Sequence, residues 1–406
     1  MKKLKILIVC EHASNQFGGE AMLPFKYFHY LQQQQHEVYL LTHARVRDNF
    51  EGMRNIYFIP DTKLHILMYK LGTFLPDRIA LLTTGILSQF VTQVYQWVYA
   101  RRIVKEKNID IIHEPAPVSP KQTSMMFGLG VPVIIGPMNG GINFPKAFKY
   151  MAGGIESVIQ VIVRLLSHIF NILIPGKLLA SRLIVANPRT KAALPFLHFG
   201  QVIQIVENAA DQVSELTVKK SINENPHIKT RVLYVGRLVD WKAVDILFDV
   251  FANLDKSIHL DIVGDGPDMT KLMEQAIGLE NVTFHGWIEH AEIHRVYDMA
   301  DIFVLPSVRE CGGAVILEAM ARGVPAIATD WGGPADYIAE GTGYLIKPTS
   351  REYMVEAFKN HIQMLADDPK SRGLMGAKAK AHIVQHFLWE SKVKQMIQLY
   401  HEVIAE

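Results

Sequence analysis

Residues 302–323 read Ile302-Phe-Val-Leu-Pro-Ser-Val-Arg-Glu310-Cys-Gly-Gly-Ala-Val-Ile-Leu-Glu318-Ala-Met-Ala-Arg-Gly323, with Val324-Pro325 next. The stretch is a strand, a loop and a helix in that order. Its opening run is apolar and continuous, as a strand buried on both faces should be. Helix start signals fall at 312–314, and Gly323 followed by Val-Pro325 stops the helix. A strand that leads straight into a helix is half of a right-handed crossover between parallel strands.

Runs of the same kind recur along the chain. A first series lies at 5–10, 37–42, 109–113 and 131–135. A second lies at 231–235, 259–263, 282–285, 302–305 and 326–329. Two such series predict two doubly wound, Rossmann-like α/β domains. At 406 residues the chain is long enough for two separate cores. The boundary is expected between Val206 and Thr230, where Glu207-Asn-Ala-Ala-Asp211 leads into a polar run at 219–229 interrupted by Pro226. The predicted domains are therefore 1–210 and 211–385, followed by a C-terminal helix at 386–406. From 381 on, Ile383, Phe387, Val393, Met396, Ile397, Tyr400, Val403 and Ile404 recur at helical spacing.

Apolar residues make up 49% of the chain and no block is Pro/Ser-rich, which predicts a fully folded protein. Cys10 and Cys311 have neither disulfide nor metal-ligand spacing, in keeping with a reducing cytoplasm. The start, Met1-Lys-Lys-Leu-Lys5, has the charge of a signal peptide. Its apolar run from Ile6 to Cys10 is too short for one, and Glu11-His12 follow at once, so it reads as a first buried strand. No clean stretch of about 20 apolar residues predicts a membrane span. The net charge of +2 hides an asymmetry. Residues 1–200 hold 22 Lys+Arg and 11 Asp+Glu, a net of 22 − 11 = +11, and the remainder 20 and 29, a net of 20 − 29 = −9. A basic front half suits an anionic membrane surface or a polyanionic acceptor, and equally two unrelated solvated faces. No nucleic-acid partner is expected.

Two front-half segments, 64–104 and 154–174, are unusually apolar and carry basic residues within or just beyond them, among them Lys70, Arg101, Arg102, Arg164 and Lys177. One reading lays them on a membrane beside a lipid-linked substrate, the protein being cytoplasmic and peripheral on the inner face. The ordinary reading, which the sequence favours, is crossover helices packed on a sheet.

Ligands of open parallel sheets sit beyond the carboxyl ends of the strands. There the run 231–235 ends in Gly236-Arg237, with Lys242 beyond, and two cations near a glycine turn can neutralise a pyrophosphate. The run 259–263 ends in Gly264-Asp-Gly-Pro267, which lacks the third glycine of a dinucleotide fingerprint and reads as a tight turn. Glu310 and Glu318 bracket a helix N-terminus whose unpaired N–H groups at Gly313, Ala314 and Val315 suit a diphosphate. Part loop and part helix, their separation spans roughly 10–15 Å, the length of a sugar, a diphosphate and a ribose. Carboxylates accept hydrogen bonds from vicinal hydroxyls, so Glu310 can hold the sugar and Glu318 the ribose. Either acid alone would read as a helix-end charge.

Taken in order, Gly236-Arg237…Lys242, Gly264-Asp-Gly-Pro267, Phe284…Gly286, Leu305-Pro-Ser307, Glu310…Glu318-Ala-Met-Ala, Gly323…Pro325 and Gly332-Gly333 resemble the family 4 retaining glycosyltransferases of GT-B fold, over about 225–385. The resemblance implies two Rossmann-like domains facing across a cleft, with the C-terminal helix crossing back to the front domain. It implies Arg237 and Lys242 on the donor diphosphate, Glu310 on the sugar, Glu318 on the ribose and the Ile288 region at the base. It further implies a sugar transfer with retention; stabilisation of the leaving group by these cations and the helix end needs no metal, and the sequence offers no convincing metal cluster, so no metal or cofactor is expected. The front half resembles the family's acceptor domain less closely. Gly18-Gly19 looks like the glycine loop that approaches the donor phosphates. At 131–135 the chain resembles a strand that commonly ends in a His near the reaction centre; Met138 falls about where that His would stand, with His113 and Asn139 as neighbouring candidates. Cys311-Gly-Gly313 replaces the common Gly-Phe-Gly. The expected activity moves a sugar from a UDP-sugar, or next GDP-mannose, to a lipid-linked or oligosaccharide acceptor in surface-polysaccharide assembly. The alternatives are a sugar-nucleotide isomerase or epimerase of the same fold, and a non-catalytic sugar-nucleotide binder.

Overall fold

The computed structural model describes residues 2–15, 19–74, 81–152, 154–212, 227–289 and 292–406; the side chains of 81–82 and 154–163 fall outside that description. Gly18 and most of the predicted interdomain linker therefore lie outside the described residues.

The chain divides into two compact units, one of 1–141, 159–207 and 393–406, the other of 142–158 and 208–392. The first unit holds β1 (Lys5–Val9), β2 (Glu37–His43), β3 (Ile56–Ile59), β4 (Ile111–Glu114), β5 (Val133–Met138), β6 (Arg182–Val185) and β7 (Gln201–Gln204), in the order β3-β2-β1-β4-β5-β6-β7. The second holds β8 (Thr230–Val235), β9 (Ile258–Val263), β10 (Val282–Gly286), β11 (Ile302–Leu305), β12 (Ala326–Thr329) and β13 (Gly343–Ile346), in the order β10-β9-β8-β11-β12-β13. Every pairing is parallel. Both are doubly wound sheets whose strand order reverses once, beside β1 and beside β8. The two-sheet α/β fold is GT-B. The helices that matter here are α1 (Met22–Gln33), α2 (Lys63–Gly72), α3 (Ile86–Lys107), α4 (Gly154–Leu173), α5 (Asp245–Phe251), α6 (Met269–Gln275), α7 (Ile293–Met299), α8 (Ala314–Ala321), α9 (Arg351–Asp367), α10 (Pro369–His386) and α11 (Trp389–Ala405).

The continuous apolar runs are strands because both faces are covered. β4, β6, β9, β11 and β12 are buried at every position. β3, β7 and β13 lack that signature: β7 reads Gln-Val-Ile-Gln and sits at a sheet edge, half in solvent. The strand expected at 131–135 starts two residues later and runs to Met138. Gly136 adopts a φ of +111°, and a Cβ there would stand 2.3 Å from the carbonyl oxygen of Ile184, so glycine lets the chain pass. Met138 is thereby drawn into the sheet opposite Val185.

The C-terminal segment is two helices rather than one. α10 ends at His386, and the chain between it and α11 pairs with Ala210, whose N–H donates to Phe387 O (2.8 Å) while Trp389 N–H donates to Ala210 O (3.1 Å). Part of the polar stretch read as a hinge is thus a docking strip for this break. From Val393 onward α11 belongs to the first unit, with Val393, Met396, Ile397, Tyr400 and Val403 buried. Tyr400 O–H donates to His113 Nδ1 (2.8 Å), and His113 Nε2–H donates to Gly136 O (2.6 Å). Glu406 pairs with Arg182.

The segments 64–104 and 154–174 depart from the expectation of plain crossover helices. The end of α3 packs on the first sheet through Ala100, Ile103 and Val104. Tyr95, Trp97 and Tyr99 also lean on that core, whereas the first turn of α3, most of α2 and the described half of α4 leave large apolar side chains exposed.

Substituting Tyr400→Phe keeps the ring and removes the donor to His113. Losing that buried hydrogen bond is expected to cost about 0.5–1.5 kcal/mol, read as a lower unfolding temperature of the intact chain. An unchanged temperature would show that apolar packing alone docks α11.

Candidate active site

The strand order of the second sheet reverses between β8 and β11, which are paired neighbours. Their carboxyl ends open the crevice where parallel sheets bind ligands. Gly236 and Arg237 leave β8 on one side of it, and Ser307 to Glu310 leave β11 on the other. Val308 N–H donates to Trp241 O (3.0 Å), so the two exits are stitched together. This brings Lys242, on a 3-10 turn at Asp240–Lys242, onto Glu310: the ammonium nitrogen and carboxylate oxygen Oε2 form a direct ion pair. The two side chains are only 16% and 12% exposed, so the pair is shielded from water on most sides. Arg237 is exposed, and its guanidinium has no ion-pair partner among the described residues. Beneath lies Tyr234, fully buried, its hydroxyl held far above the ordinary phenol range first by burial and then by the Glu310 charge.

Glycines fix the backbone around this pair. A Cβ on Gly264 would stand 2.0 Å from Gly236 O, and one on Gly266 2.2 Å from Leu238 O. The Gly264-Asp-Gly-Pro267 segment is therefore where the turn after β9 lies backbone-on-backbone against the turn after β8. The loop after β12 does the same to the acid loop. Gly333 N–H donates to Glu310 O (2.9 Å), and a Cβ on Gly333 would come 1.9 Å from Gly312 O. Gly313, with φ +84°, then caps α8 and has no side chain to offer. The first-turn N–H groups of Ala314 and Val315 consequently have no side-chain cap, a positive helix end beside the ion pair. Glu318, half-buried on α8, accepts a hydrogen bond from Tyr297 O–H (2.8 Å) on α7. Burial and then the Glu318 charge push the Tyr297 hydroxyl well above its ordinary range, so it stays a donor. One carboxylate oxygen is thereby anchored and the side chain oriented. Nothing in the sequence marks Tyr297, which sits among helical apolar residues. Ile288 follows β10, itself half-buried between the exposed Trp287 and Glu289.

In the first unit, Gly19 has φ +73° ahead of α1, with open space where a Cβ would be. The three acceptor-side candidates are placed differently from the expectation. His113 is fully buried with both ring nitrogens bonded, as above, and Met138 is buried within β5. Both are packing groups in this geometry. Asn139, also buried, joins a polar network at the ends of β5 and β6: its Oδ1 accepts from Arg189 (3.2 Å), Asn187 (3.4 Å) and Thr190 (3.4 Å).

Among the described residues, His43, Asp61 and His65 bring ligand-type atoms within 4.8 Å of one another, a spacing that invites a metal. Their hydrogen bonds argue against one. Nδ1 of His43 accepts from Arg45 N–H (3.4 Å) and Nδ1 of His65 from Thr62 N–H (3.1 Å), which leaves the proton of each neutral ring on Nε2. Nε2 of His65 then faces Thr92 Oγ1 (3.1 Å), and Asp61 is gripped by Arg45.

Sequence comparison agrees with the placement of this chemistry in the second unit: residues 217–382 match the family described as "Glycosyl transferases group 1". The chain is 28% identical to the sulfoquinovosyl transferase SQD2 of Arabidopsis thaliana over 284 residues, covering 67% of this chain and 52% of that protein. It spans about half the length of the curated relatives it matches. Solved structures share the whole fold. Sucrose-phosphate synthase from Thermosynechococcus elongatus superposes with a TM-score of 0.67 at 21% identity, over 99% of this chain and 100% of that one. Anabaena HepE in complex with UDP and glucose does so with a TM-score of 0.67 at 16% identity, over 98% and 100%. The stretch that matches the glycosyl transferases group 1 family thus holds the Lys242–Glu310 pair and the α8 N-terminus, and the two-sheet fold around it is the one these solved structures share.

Proposed function

We propose that the protein is a retaining glycosyltransferase that moves a sugar from a nucleotide sugar, a UDP-sugar first and GDP-mannose second, to a lipid-linked or oligosaccharide acceptor in surface-polysaccharide assembly. The observation that carries this is the Lys242–Glu310 ion pair set beside an uncapped helix N-terminus and the exposed Arg237. A cation, an anion and a positive helix end at the carboxyl edge of a parallel sheet match a ligand with phosphates at its centre and hydroxyls at its ends. The relative that binds UDP and glucose supports the donor class.

The pair explains how a donor can be admitted. Without ligand, Lys242 and Glu310 neutralise each other. An arriving diphosphate takes Lys242, together with Arg237 and the N–H groups of α8. Glu310 is then released to accept hydrogen bonds from the sugar, and Glu318, oriented by Tyr297, accepts them from the ribose. As the bond from the anomeric carbon to the diphosphate oxygen breaks, the growing negative charge falls on groups already positioned for it. An oxygen of the departing diphosphate takes the proton of the acceptor hydroxyl, whose oxygen bonds to the same face of the sugar and retains its configuration. In this scheme Lys242, Arg237 and the helix end carry the leaving-group charge without a metal ion.

Replacing Glu310 by Gln keeps the shape, removes the anion and frees Lys242. Transfer is expected to fall about 100-fold or more while UDP binds no more weakly than to wild type. Near-wild-type turnover, measured as acceptor-dependent release of UDP or GDP across a sugar-nucleotide panel, would remove Glu310 from the chemistry. Product formed from donor alone would favour the isomerase alternative, and no turnover with any donor the binder. NMR coupling at the anomeric carbon of the product tests retention.

The Lys242→Ala variant is expected to weaken UDP binding by about tenfold, or about 1.4 kcal/mol. Calorimetry gives the dissociation constant, and an unaltered value would refute the phosphate contact.

A further inference from the structure

Three helices of the first unit wear their polarity inside out. On the described half of α4 the buried side chains are Ser167 and Asn171, while Leu165, Ile169, Phe170 and Leu173 are exposed. On α2 the buried side chain is His65, while Leu67, Tyr69 and Leu71 are exposed. On α3 the first three buried side chains are Thr92, Gln93 and Gln96, while Ile86, Leu87 and Phe90 are exposed. A helix that meets water outside and a core inside has the opposite pattern.

The polar faces bind one another and one shared segment. His65 Nε2 and Thr92 Oγ1 are 3.1 Å apart, joining α2 to α3. Gln93 donates to Thr123 O (2.9 Å) and Trp97 to Phe127 O (3.0 Å), while Asn171 on α4 donates to Lys121 O (3.0 Å). The loop at 196–199 adds two more outward rings: Phe196 stacks on His168 with centroids 3.8 Å apart yet stays exposed, as does Phe199. The result is a hydrogen-bonded layer whose outer surface is apolar.

Charge tells what covers it. From 115 to 206 the chain has eight Lys+Arg, of which Lys177 and Arg182 are buried, and one acid, Glu156; from 62 to 105 it has six and one acid, Asp77, with Asp61, Glu106, Glu114 and Glu207 just beyond these stretches. Exposed Leu, Ile, Phe and Tyr bordered by cations and almost no anions suit a surface that is apolar inside and anionic at its face. Among the described residues no helix is long and apolar enough to cross a membrane, and withdrawing α4 into lipid would orphan the hydrogen bonds of its polar stripe.

We propose that α2, the first turns of α3, the described half of α4 and the 196–199 loop lie in the interface of an anionic lipid bilayer, apolar side chains at the acyl boundary and Lys70, Arg164 and Lys191 among the headgroups. The layer is independent of the donor chemistry, so binding is measured on the full chain with no sugar nucleotide present. Co-sedimentation is run with vesicles of phosphatidylcholine alone and of phosphatidylcholine mixed equally with phosphatidylglycerol. Wild type is expected to sediment with the phosphatidylglycerol vesicles and hardly at all with phosphatidylcholine, and high salt should weaken it. The triple change Leu165→Ser, Ile169→Ser, Leu173→Ser touches side chains 63%, 55% and 69% exposed. It is expected to cut partitioning by about tenfold or more with UDP binding intact. Ile277→Ser, at a position 80% exposed in the second unit, should change nothing. If the triple variant misfolds, Lys70→Glu with Lys191→Glu serves in its place, with the same loss expected. Absence of wild-type binding to phosphatidylglycerol vesicles, or folded variants that bind like wild type, overturns the proposal. So does a wild-type dimer that the variants break in a chain that ignores vesicles.

Discussion

Backbone packed directly on backbone at the carboxyl edge of the second sheet is the constraint on which the site depends. The turns after β8 and β9 touch at Gly236, Gly264 and Gly266, and the loops after β11 and β12 touch at Gly312, Gly332 and Gly333. Where a Cβ would come within about 2 Å of a carbonyl oxygen, only glycine allows the approach without the loop moving. These contacts decide where Glu310 leaves the sheet. A loop free to drift by an ångström would not hold a carboxylate on Lys242, and such displacements are costly in chemistry that relies on placement. The glycines thus contribute to function without touching a ligand.

Burial governs how much of the fold is legible in the sequence. Strands covered on both faces stand out because a short, unbroken apolar run bounded by turn residues marks backbone that water never reaches, and 302–305 and 326–329 match the structure to the residue. Edge strands such as β7 and β13 do not stand out, since half their surface faces solvent and their composition follows suit. The site splits along the same line. Glu310, Glu318, Arg237 and Lys242 announce themselves as charges after apolar strands, and the structure puts two of them in contact. Tyr297 carries no such mark, because its role comes from a neighbour on another helix. His113 shows the converse: a histidine at a strand end invites a catalytic reading, and only the position of Tyr400, nearly three hundred residues away, shows both its nitrogens occupied.

The inverted helices show a limit of periodicity itself. A 3.6-residue pattern reveals that a helix has two faces, but not which one turns inward. That choice belongs to the partners. The segment at 119–127 offers backbone carbonyls to side chains of α3 and α4, so amides and an indole N–H turn toward it and the aliphatic face is left outside. The decision is made by hydrogen bonds that cannot be left unpaired once buried, which cost more to lose than an exposed leucine costs to keep.

The ion pair in the site follows the same logic of satisfied charge. An isolated carboxylate or ammonium at 12–16% exposure would be expensive to keep from water. Paired, the two charges wait at little cost. A ligand that brings both phosphates and hydroxyls can separate them, because it offers each a new partner. A bare phosphate satisfies Lys242 alone and strands Glu310; a bare sugar satisfies Glu310 alone and strands Lys242. In the proposed scheme the pair would therefore discriminate for the composite ligand over either part, through the penalty of leaving one charge behind rather than through any added contact.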